Sequence, residues 1–428
     1  MEHNKAFYDS LEEAIPKILT EVPSSVLEPY DFIAIIYAQN TIYHGGLKPM
    51  ARENLYIIGE KHNRLNSGEV FTHIGGHCHE FGHCLGLNHL AGGNQDSLEV
   101  DYFALMEVGG MNGPRKNGAC PAGINPYYKI LKNWVDDENL HPILDDTTGL
   151  VIRYDYFNPQ YYIVKSRNYP ENKFFILKNR LREGFDKYTP NNFDYTGCPE
   201  DPNGNQGGLL IWQIEYPSGI HLVLADDKIS DHPENSLSEE RSYSLDPFPI
   251  YQNQQCNDFT IPDLKFHHDQ LSFISFKNIV WNDHTKEIIL DIDLSNLQNP
   301  LQKSVEINFN LSLRENFEIA SNVQLIVSNA GITIDSDSIQ LNKNSSLQCN
   351  GSMHIEQGIN FLMGKDTKII SYFEFHATGT KKKPIHFSSL YDNWDGIYIF
   401  NAGIAELKNC IIQKSQQRIN QFQFRFNH

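Results

Sequence analysis

The pattern of apolar and polar positions divides the chain into three regions, and the first mixes helices with strands. Apolar residues at helical spacing predict an amphipathic helix over Ala6–Leu19, and a β-branched run predicts a buried strand over Asp31–Tyr37. After a glycine pair the pattern predicts a helix over about His77–Leu85, and a later apolar stripe predicts another over Pro126–Val135.

The second region, from about residue 150 to 296, has the texture of strands. Short apolar or β-branched runs alternate with long polar loops, including Thr189–Gln206 and Asp226–Ser242. The predicted strands are Tyr161–Val164, Phe174–Leu177, Leu209–Ile214, His221–Leu224 and Ile288–Leu294.

After Pro300 the third region repeats very short apolar alternations between Asn, Gly, Ser and Asp. The alternating sets are Val323/Leu325/Val327, Ile332/Ile334, Ile339/Leu341, Leu347/Cys349, Met353/Ile355, Ile385/Phe387 and Ile397/Ile399. Such strands with polar corners are typical of stacked solenoid coils, each burying its apolar face on the next. Periodicity alone favours a solenoid and an ordinary β-sandwich equally.

Composition and charge narrow the class of protein. The 428 residues, 40% hydrophobic and 12% aromatic, predict a globular chain with several cores. A formal net charge of −18 argues against nucleic acid or an anionic membrane as a general partner, because both attract positive surfaces. No apolar run approaches the roughly 18 residues that span a bilayer, so no membrane span is predicted.

The first twenty residues carry acids where a signal peptide carries an apolar core, so the sequence predicts either a cytosolic protein or a chain that begins downstream of its export signal. Seven cysteines include no CxxC pair, which disfavours a cysteine zinc site. Cys78 and Cys84 are six residues apart, about 240° round a helix, so they cannot bridge each other. Cysteine usage leaves the compartment open.

The strongest chemical signal is the segment His79-Glu-Phe-Gly-His-Cys-Leu-Gly-Leu-Asn-His89. On a helix His79 and His83 share one face and can hold one metal ion, with Glu80 one step round. Gly86 permits a left-handed turn that returns the chain, so that His89 supplies a third nitrogen. Three protein ligands with a fourth position left for water are the pattern of a catalytic zinc site.

This ligand set predicts a zinc peptidase mechanism. Zinc lowers the pKa of its water towards about 7 and polarises the scissile carbonyl. Glu80 is predicted to take the proton as water attacks and to pass it to the leaving amine. Candidate oxyanion donors are Tyr102, Tyr127 and Tyr128. A histidine-rich surface helix and an inactive zinc-holding relative stay open as alternatives.

Two other histidines lie near the motif. His77 lies about 200° round the helix from His79, and His73 lies upstream of the helix. Both are predicted to be packing or hydrogen-bonding residues and not ligands.

The extended His-Glu-x-x-His-x-x-Gly-x-x-His pattern resembles the metzincin signature. Metzincins also place a methionine in a tight turn beneath the zinc. Met106, within Ala104–Gly110 and seventeen residues beyond His89, matches that position; the alternative for Met106 is an ordinary core methionine.

More narrowly, residues 5 to about 296 resemble the immune inhibitor A-like secreted bacterial metallopeptidases. The blocks that carry the resemblance are His79–Leu87, Leu105-Met106, Pro126–Lys129, Trp134-Val135, Phe174–Arg180, Gly184–Asp186, Gly208–Trp212 and Leu224–Asp226. The resemblance implies an extracellular peptidase with a β-rich subdomain beside a metzincin core. The chain departs from the family at His89, where aspartate is common, and at Lys178, Gln213 and Glu215.

Residues 377–412 look like right-handed parallel β-helix repeats of bacterial surface proteins, which favours the solenoid over the sandwich. That resemblance implies a cell-surface or polysaccharide ligand for this region. A solenoid needs a cap, and a rung lies close to the last residue, so we expect a truncated or frameshifted C-terminal end. The absent export signal predicts a missing start as well. Asp201-Pro-Asn203-Gly-Asn205 has the oxygen spacing of a calcium loop, but Trp212 stands where glutamate is required, so a solvated loop is favoured over Ca²⁺.

Together these observations predict an α+β fold of three parts: a metzincin-like catalytic domain at 1–142, a β-rich subdomain at 143–298, and a parallel β-helix segment at 299–428. The predicted function is that of a secreted zinc endopeptidase acting on proteins or peptides, with Glu80 as general base, His79, His83 and His89 as ligands and Met106 in the supporting turn. The competing prediction is a β-helix adhesion protein with a vestigial zinc domain.

Overall fold

The computed structural model describes a β-rich chain with few helices. It describes residues 16, 19–41, 50–52, 54–64, 68–90, 100–113, 118–154, 157–169, 172–189, 207–215, 219–225, 248, 254–390, 393–400 and 404–413. Within these ranges the α-helices are α1 (Ser24–Leu27), α2 (Ile74–Cys84) and α3 (Pro126–Leu131). Short 3₁₀ turns occupy Asp101–Phe103, Val108–Met111, Asp137–Asn139, Gly184–Tyr188 and His267–Asp269. None of the described helices has the length and apolarity that crossing a bilayer requires.

The predicted helix over Ala6–Leu19 lies almost wholly outside the described residues, and both of the other helix predictions are adjusted. The motif helix α2 begins three residues earlier than predicted. Helix α3 stops at Leu131 because Asn133 adopts a left-handed φ of 55°, and Trp134 N–H returns to the carbonyl of Lys129.

A small sheet in the first region supports α2. Its strands are β1 (Ile33–Thr41), β2 (Met50–Arg52), β3 (Leu55–Arg64) and β4 (Gly68–Phe71). Strand β3 pairs in parallel with β1 and antiparallel with β2 and β4. The strand predicted over Asp31–Tyr37 forms, but the prediction that it is buried is wrong: Ile36 is 57% exposed, while Ile57 and Ile58 on β3 are buried. The central strand, flanked on both edges, supplies the buried apolar side chains here.

The second region forms two antiparallel-rich sheets packed face to face. Its strands are β5 (Leu140–Ile143), β6 (Thr147–Ile152), β7 (Tyr161–Lys165), β8 (Lys173–Leu181), β9 (Gly207–Glu215), β10 (Gly219–Val223), β11 (Cys256–Asn257), β12 (Ser275–Asn282) and β13 (Glu287–Asp293). One sheet has the order β10-β9-β8-β7-β5 and the other β11-β12-β13-β6. All five strands predicted in this region are confirmed.

Strand β9 shows how the first two regions join. All nine of its residues are buried. Alternate side chains enter two cores: Leu209 and Ile211 pack between the two sheets, while Leu210, Trp212 and Ile214 pack with Phe103 and Ala104 of the first region. The segment that carries Met106 therefore rests on the far face of this sheet.

The third region is a parallel β-solenoid, not a sandwich. Its strands are β14 (Val305–Ile307), β15 (Leu311–Leu313), β16 (Phe317–Ile319), β17 (Gln324–Val327), β18 (Ile332–Ile334), β19 (Ser338–Leu341), β20 (Ser346–Cys349), β21 (Ser352–Ile355), β22 (Asn360–Met363), β23 (Lys368–Ser371), β24 (Glu374–Thr378), β25 (Ile385–Ser389), β26 (Gly396–Ile399), β27 (Ile404–Lys408) and β28 (Cys410–Ile412). They form three parallel sheets, β14-β17-β20-β23-β26, β15-β18-β21-β24-β27 and β16-β19-β22-β25-β28.

The solenoid is specified by in-register stacking of like residues. Leu325 pairs with Leu347, and Leu347 with Ile369, which is one coil every 22 residues. At one corner Asn322 and Asn344 both adopt a left-handed φ, near 60°, and the Asn344 amide donates to Asn322 at 3.1 Å. Asparagine tolerates this conformation better than other side chains, which explains the polar corners between the apolar pairs.

The preceding region caps the start of the solenoid. Phe273 is buried in the solenoid core, with its ring 5.6 Å from that of Phe309. The buried carboxylate of Asp258 accepts hydrogen bonds from the Ser272 hydroxyl and from the backbone N–H groups of Ser272 and Phe273. The second and third regions are therefore joined by packing as well as by the chain.

Candidate metal centre

Helix α2 lies unusually close to the turn that contains Met106, because glycines face that turn. A Cβ atom on Gly75 would lie 1.9 Å from the carbonyl oxygen of Gly110, and one on Gly82 would lie 2.4 Å from the sulfur of Met106. Gly75 also donates its N–H to Gly118 at 2.8 Å. Residues 75 and 82 are seven apart and share one helix face, so the sequence keeps that face bare where the turn packs.

The helix ends in the turn that the sequence predicts. Gly86 has φ +75°, its N–H donates to His83 at 2.9 Å, and Leu87 N–H donates to Gly82 at 3.0 Å. This pair of bonds is a Schellman motif, which requires a left-handed residue at the position of Gly86. The reversal carries the chain back over the helix to His89.

The three predicted ligand residues come together. One ring nitrogen from each of His79, His83 and His89 lies within 4.8 Å of the other two, the only such cluster of three metal-ligating groups within the described part of the chain. The ring centroids are 4.8–5.0 Å apart. His79 and His83 are half-buried, and His89 is exposed.

Each imidazole is oriented by a backbone carbonyl. Nδ1 of His79 bonds Leu105 at 2.8 Å, that of His83 bonds Leu87 at 2.7 Å, and that of His89 bonds Met106 at 3.0 Å. A carbonyl oxygen only accepts, so each Nδ1 carries a proton, and in the neutral form of each ring the lone pair that can bind a ligand is on Nε2. Burial lowers the pKa of His79 to about 4 and lowers that of His83, which favours neutral rings.

Glu80 is the buried acid of the site. Only 7% of this residue is exposed, and burial raises the pKa of its carboxyl to about 7. A carboxyl with such a pKa can exchange a proton near neutral pH, which is what a general base and acid must do.

Met106 and its neighbour Glu107 bind the returning chain. Met106 is fully buried, packs with Leu87 and Leu105, and offers its carbonyl to His89. The carboxylate of Glu107 accepts the N–H of Leu90 at 2.6 Å. Met106 and Glu107 of the turn therefore bond His89 and Leu90 of the loop that follows α2, which we call the ligand loop. The sequence analysis did not identify Glu107.

We expect Glu107→Ala to lower the affinity of the three-histidine cluster for zinc, because it releases the N–H of Leu90 and with it the loop that carries His89. The loss should not exceed about 10–100-fold, which is the cost of removing a direct outer-shell partner. Glu107→Gln keeps an amide oxygen that can accept the N–H of Leu90, so it should retain most of the affinity. Competition of each variant with a chromogenic chelator measures the difference. Equal zinc affinity in the alanine and glutamine variants would contradict the role of this bond.

Three tyrosines are the predicted oxyanion donors: Tyr102, Tyr127 and Tyr128. Tyr128 donates its hydroxyl to the carbonyl of Asn88, beside His89, at 3.0 Å. Tyr127 packs on Phe174, and Tyr102 is buried. The hydroxyl of Tyr128 therefore bonds the loop that carries His89.

The two histidines predicted to be non-ligands lie outside the cluster. His77 Nδ1 lies 3.3 Å from the hydroxyl of Tyr56, and His73 is the residue that precedes the first turn of α2.

The cysteine predictions and the calcium prediction are compared with the described residues. None of the six described cysteines forms a disulfide, Cys78 and Cys84 included, while Cys198 lies outside the described residues. The candidate calcium loop at 201–205 also lies outside them.

Glu215 is buried and accepts from Gln213 at 2.9 Å and from Lys173 at 3.0 Å. Gln213 and Glu215 therefore form a hydrogen-bonded polar group with Lys173.

Comparisons with known proteins add no relative: no protein family, curated protein or solved structure matches this chain.

Proposed function

We propose that this chain is a zinc-dependent endopeptidase of the metzincin type, with His79, His83 and His89 as metal ligands and Glu80 as general base. The observation that carries the proposal is the convergence of three imidazoles whose Nδ1 atoms all donate to backbone carbonyls, next to a buried glutamate. In a surface helix that is merely rich in histidine, we would not expect all three rings to bond backbone carbonyls in the same way.

The donor set fits zinc. Three imidazole nitrogen ligands within one small cluster, with an outer-shell carbonyl on each ring, are the arrangement of a catalytic zinc site. When bound, zinc would supply a Lewis acid that makes water acidic and polarises a carbonyl group. The fit includes Met106, whose buried side chain packs beneath the helix and whose carbonyl orients His89.

The protein residues then have separate tasks. The carbonyls of Leu87, Leu105 and Met106 fix the rings, so that little reorganisation is needed when the ligands bind. Glu80 takes a proton from the attacking water and delivers it to the leaving amine, a task for which its raised pKa is suited. Tyr128 is our candidate donor to the developing oxyanion, and its hydroxyl proton would have to turn from the Asn88 carbonyl to reach it.

Wider features of the proposal rest on the sequence resemblance. They are membership of the immune inhibitor A-like peptidases, secretion, protein or peptide substrates, and the three-part division at residues 142 and 298. In the folded chain the first of these boundaries falls inside β5, whose partner is β7 of the second region.

The test of the proposal is a joint measurement of metal content and hydrolysis on the purified chain. We expect one zinc at the three-histidine site, and casein hydrolysis that a chelator abolishes and added zinc restores. Zinc without hydrolysis would favour the binding-protein alternative. A His83→Ala chain that binds as much zinc as the unmodified chain would overturn the assignment of the ligands.

A β-helix binding or adhesion protein is the second candidate. A polar trough of about 670 Å³ runs along one corner of the solenoid and is lined by side chains of both charges, including Arg314, Asp335, Asp337 and Lys383. Such a trough suits a hydrophilic ligand such as a polysaccharide. If binding is the function, removing the Glu80 carboxylate leaves it unchanged.

A further inference from the structure

The outer face of the middle solenoid sheet carries a second group of metal-ligating side chains, far along the chain from the three-histidine cluster. The register pairs His354 with His376, His376 with Glu406, and Ser352 with Glu374. Alternation along each strand points all five side chains away from the apolar core. Two imidazoles and two carboxylates therefore share one surface across three neighbouring strands.

One pair of these side chains has the spacing of two ligands of a single ion, and the two imidazoles lie in contact. The rings of His354 and His376 stack, with centroids 4.7 Å apart and planes within 4°. Nε2 of His376 lies 3.6 Å from a carboxylate oxygen of Glu374. Two ligand atoms on one tetrahedral zinc ion, each bonded at about 2.0–2.1 Å, are separated by about 3.4 Å.

The remaining partners orient the proposed ligands. A carboxylate oxygen of Glu406 lies 3.7 Å from Nδ1 of His376, on the side of the ring opposite Glu374. The hydroxyl of Ser352 donates to Glu374 at 3.0 Å. A carboxylate beside one ring nitrogen, with the other nitrogen directed at the ion, is the usual outer-shell arrangement of a histidine ligand.

We propose that this face of the solenoid binds a divalent transition-metal ion through His354, His376 and Glu374, with Glu406 positioning His376. Imidazole and carboxylate ligands suit Zn²⁺, Cu²⁺ and Ni²⁺. The strands fix the Cα positions, but no three of these groups lie within 4.8 Å of one another. The two stacked rings are also parallel, so their in-plane lone pairs do not converge. Binding therefore requires one imidazole to rotate out of the stack. The site is open to solvent, so we expect weaker binding than at the three-histidine cluster.

The experiment is equilibrium dialysis of the full chain against micromolar free Zn²⁺ at neutral pH, followed by elemental analysis. The variants are His376→Ala, His83→Ala, and His386→Ala as a matched control on the outward face of a different solenoid sheet. We expect His376→Ala to bind one ion fewer than the unmodified chain and His386→Ala to bind the same number. Circular dichroism establishes that the variants are folded.

The two metal proposals fail separately. Equal zinc content in His376→Ala and the unmodified chain would overturn the solenoid site, whatever His83→Ala does; the histidine–glutamate contacts would then be ion pairs only. Should His376→Ala misfold, Glu374→Gln, which preserves side-chain shape, must lower the zinc content by the same amount. Unchanged zinc content in His83→Ala would instead count against the peptidase proposal alone.

Discussion

Glu80→Gln is expected to reduce peptide hydrolysis by about 10²–10⁴-fold, the contribution of a positioned general base, and to leave zinc bound. The amide keeps the shape of the side chain in its buried position but cannot accept the proton of the attacking water. The three histidines and the carbonyls that orient them are unchanged, so the zinc content should equal that of the unmodified chain. Steady-state hydrolysis of casein, beside zinc analysis of the same sample, measures both quantities.

Glu287→Gln is the matched control for this variant, because that glutamate lies on β13, in the second region, and pairs with the exposed Arg153. It should leave hydrolysis and zinc content unchanged. A Glu80→Gln enzyme with full activity would refute the role of Glu80 as base. Loss of zinc together with activity would mean that Glu80 acts on the structure of the site and not on proton transfer.

Asp258→Ala is expected to lower the free energy of unfolding by about 2–4 kcal/mol, because it leaves buried hydrogen-bond donors without an acceptor. The carboxylate accepts three bonds from Ser272 and Phe273, and Phe273 has a left-handed φ of 59° that a phenylalanine rarely adopts. Without those bonds the ring that caps the solenoid loses its anchor. Urea unfolding monitored by circular dichroism gives the change.

Asp263→Ala serves as the control, since that carboxylate is 37% exposed and pairs with Lys265 on the surface. Its loss should cost less than about 1 kcal/mol. If the two variants unfold at the same urea concentration, the cap at Phe273 contributes little to stability. If urea unfolding shows separate transitions and Asp258→Ala shifts only that of the solenoid, the cap stabilises the third region alone.

The local pattern of apolar and polar residues predicts much of the fold. The predictions that it left open or got wrong have identifiable physical causes. The apolar pairs of the solenoid were predicted correctly because each coil repeats the same inward alternation, as at Leu325, Leu347 and Ile369. The choice between solenoid and sandwich could not be made from that alternation, because both architectures bury every second residue. It depends on which strands pair, and the pairing here joins residues 22 positions apart.

The predicted burial of β1 failed for a related reason. Ile33 and Ile36 are as apolar as Ile57 and Ile58, but only the latter strand lies between neighbours on both edges. Hydrophobicity shows that a residue can be buried, whereas the position of its strand in the sheet decides whether it is.

The sequence by itself determined the ligand candidates, because helix periodicity and one left-handed glycine are local properties that bring His79, His83 and His89 together. Only the tertiary structure decided how the rings of His79 and His89 are oriented, since the carbonyls of Leu105 and Met106 reach them from a segment more than fifteen residues away. The carboxylate of Glu107, in the same segment, holds the backbone N–H of Leu90 beside His89. It likewise brought His354, His376, Glu374 and Glu406 onto one face, because the pairing between coils, which joins residues 22 or 30 positions apart, sets which side chains are neighbours.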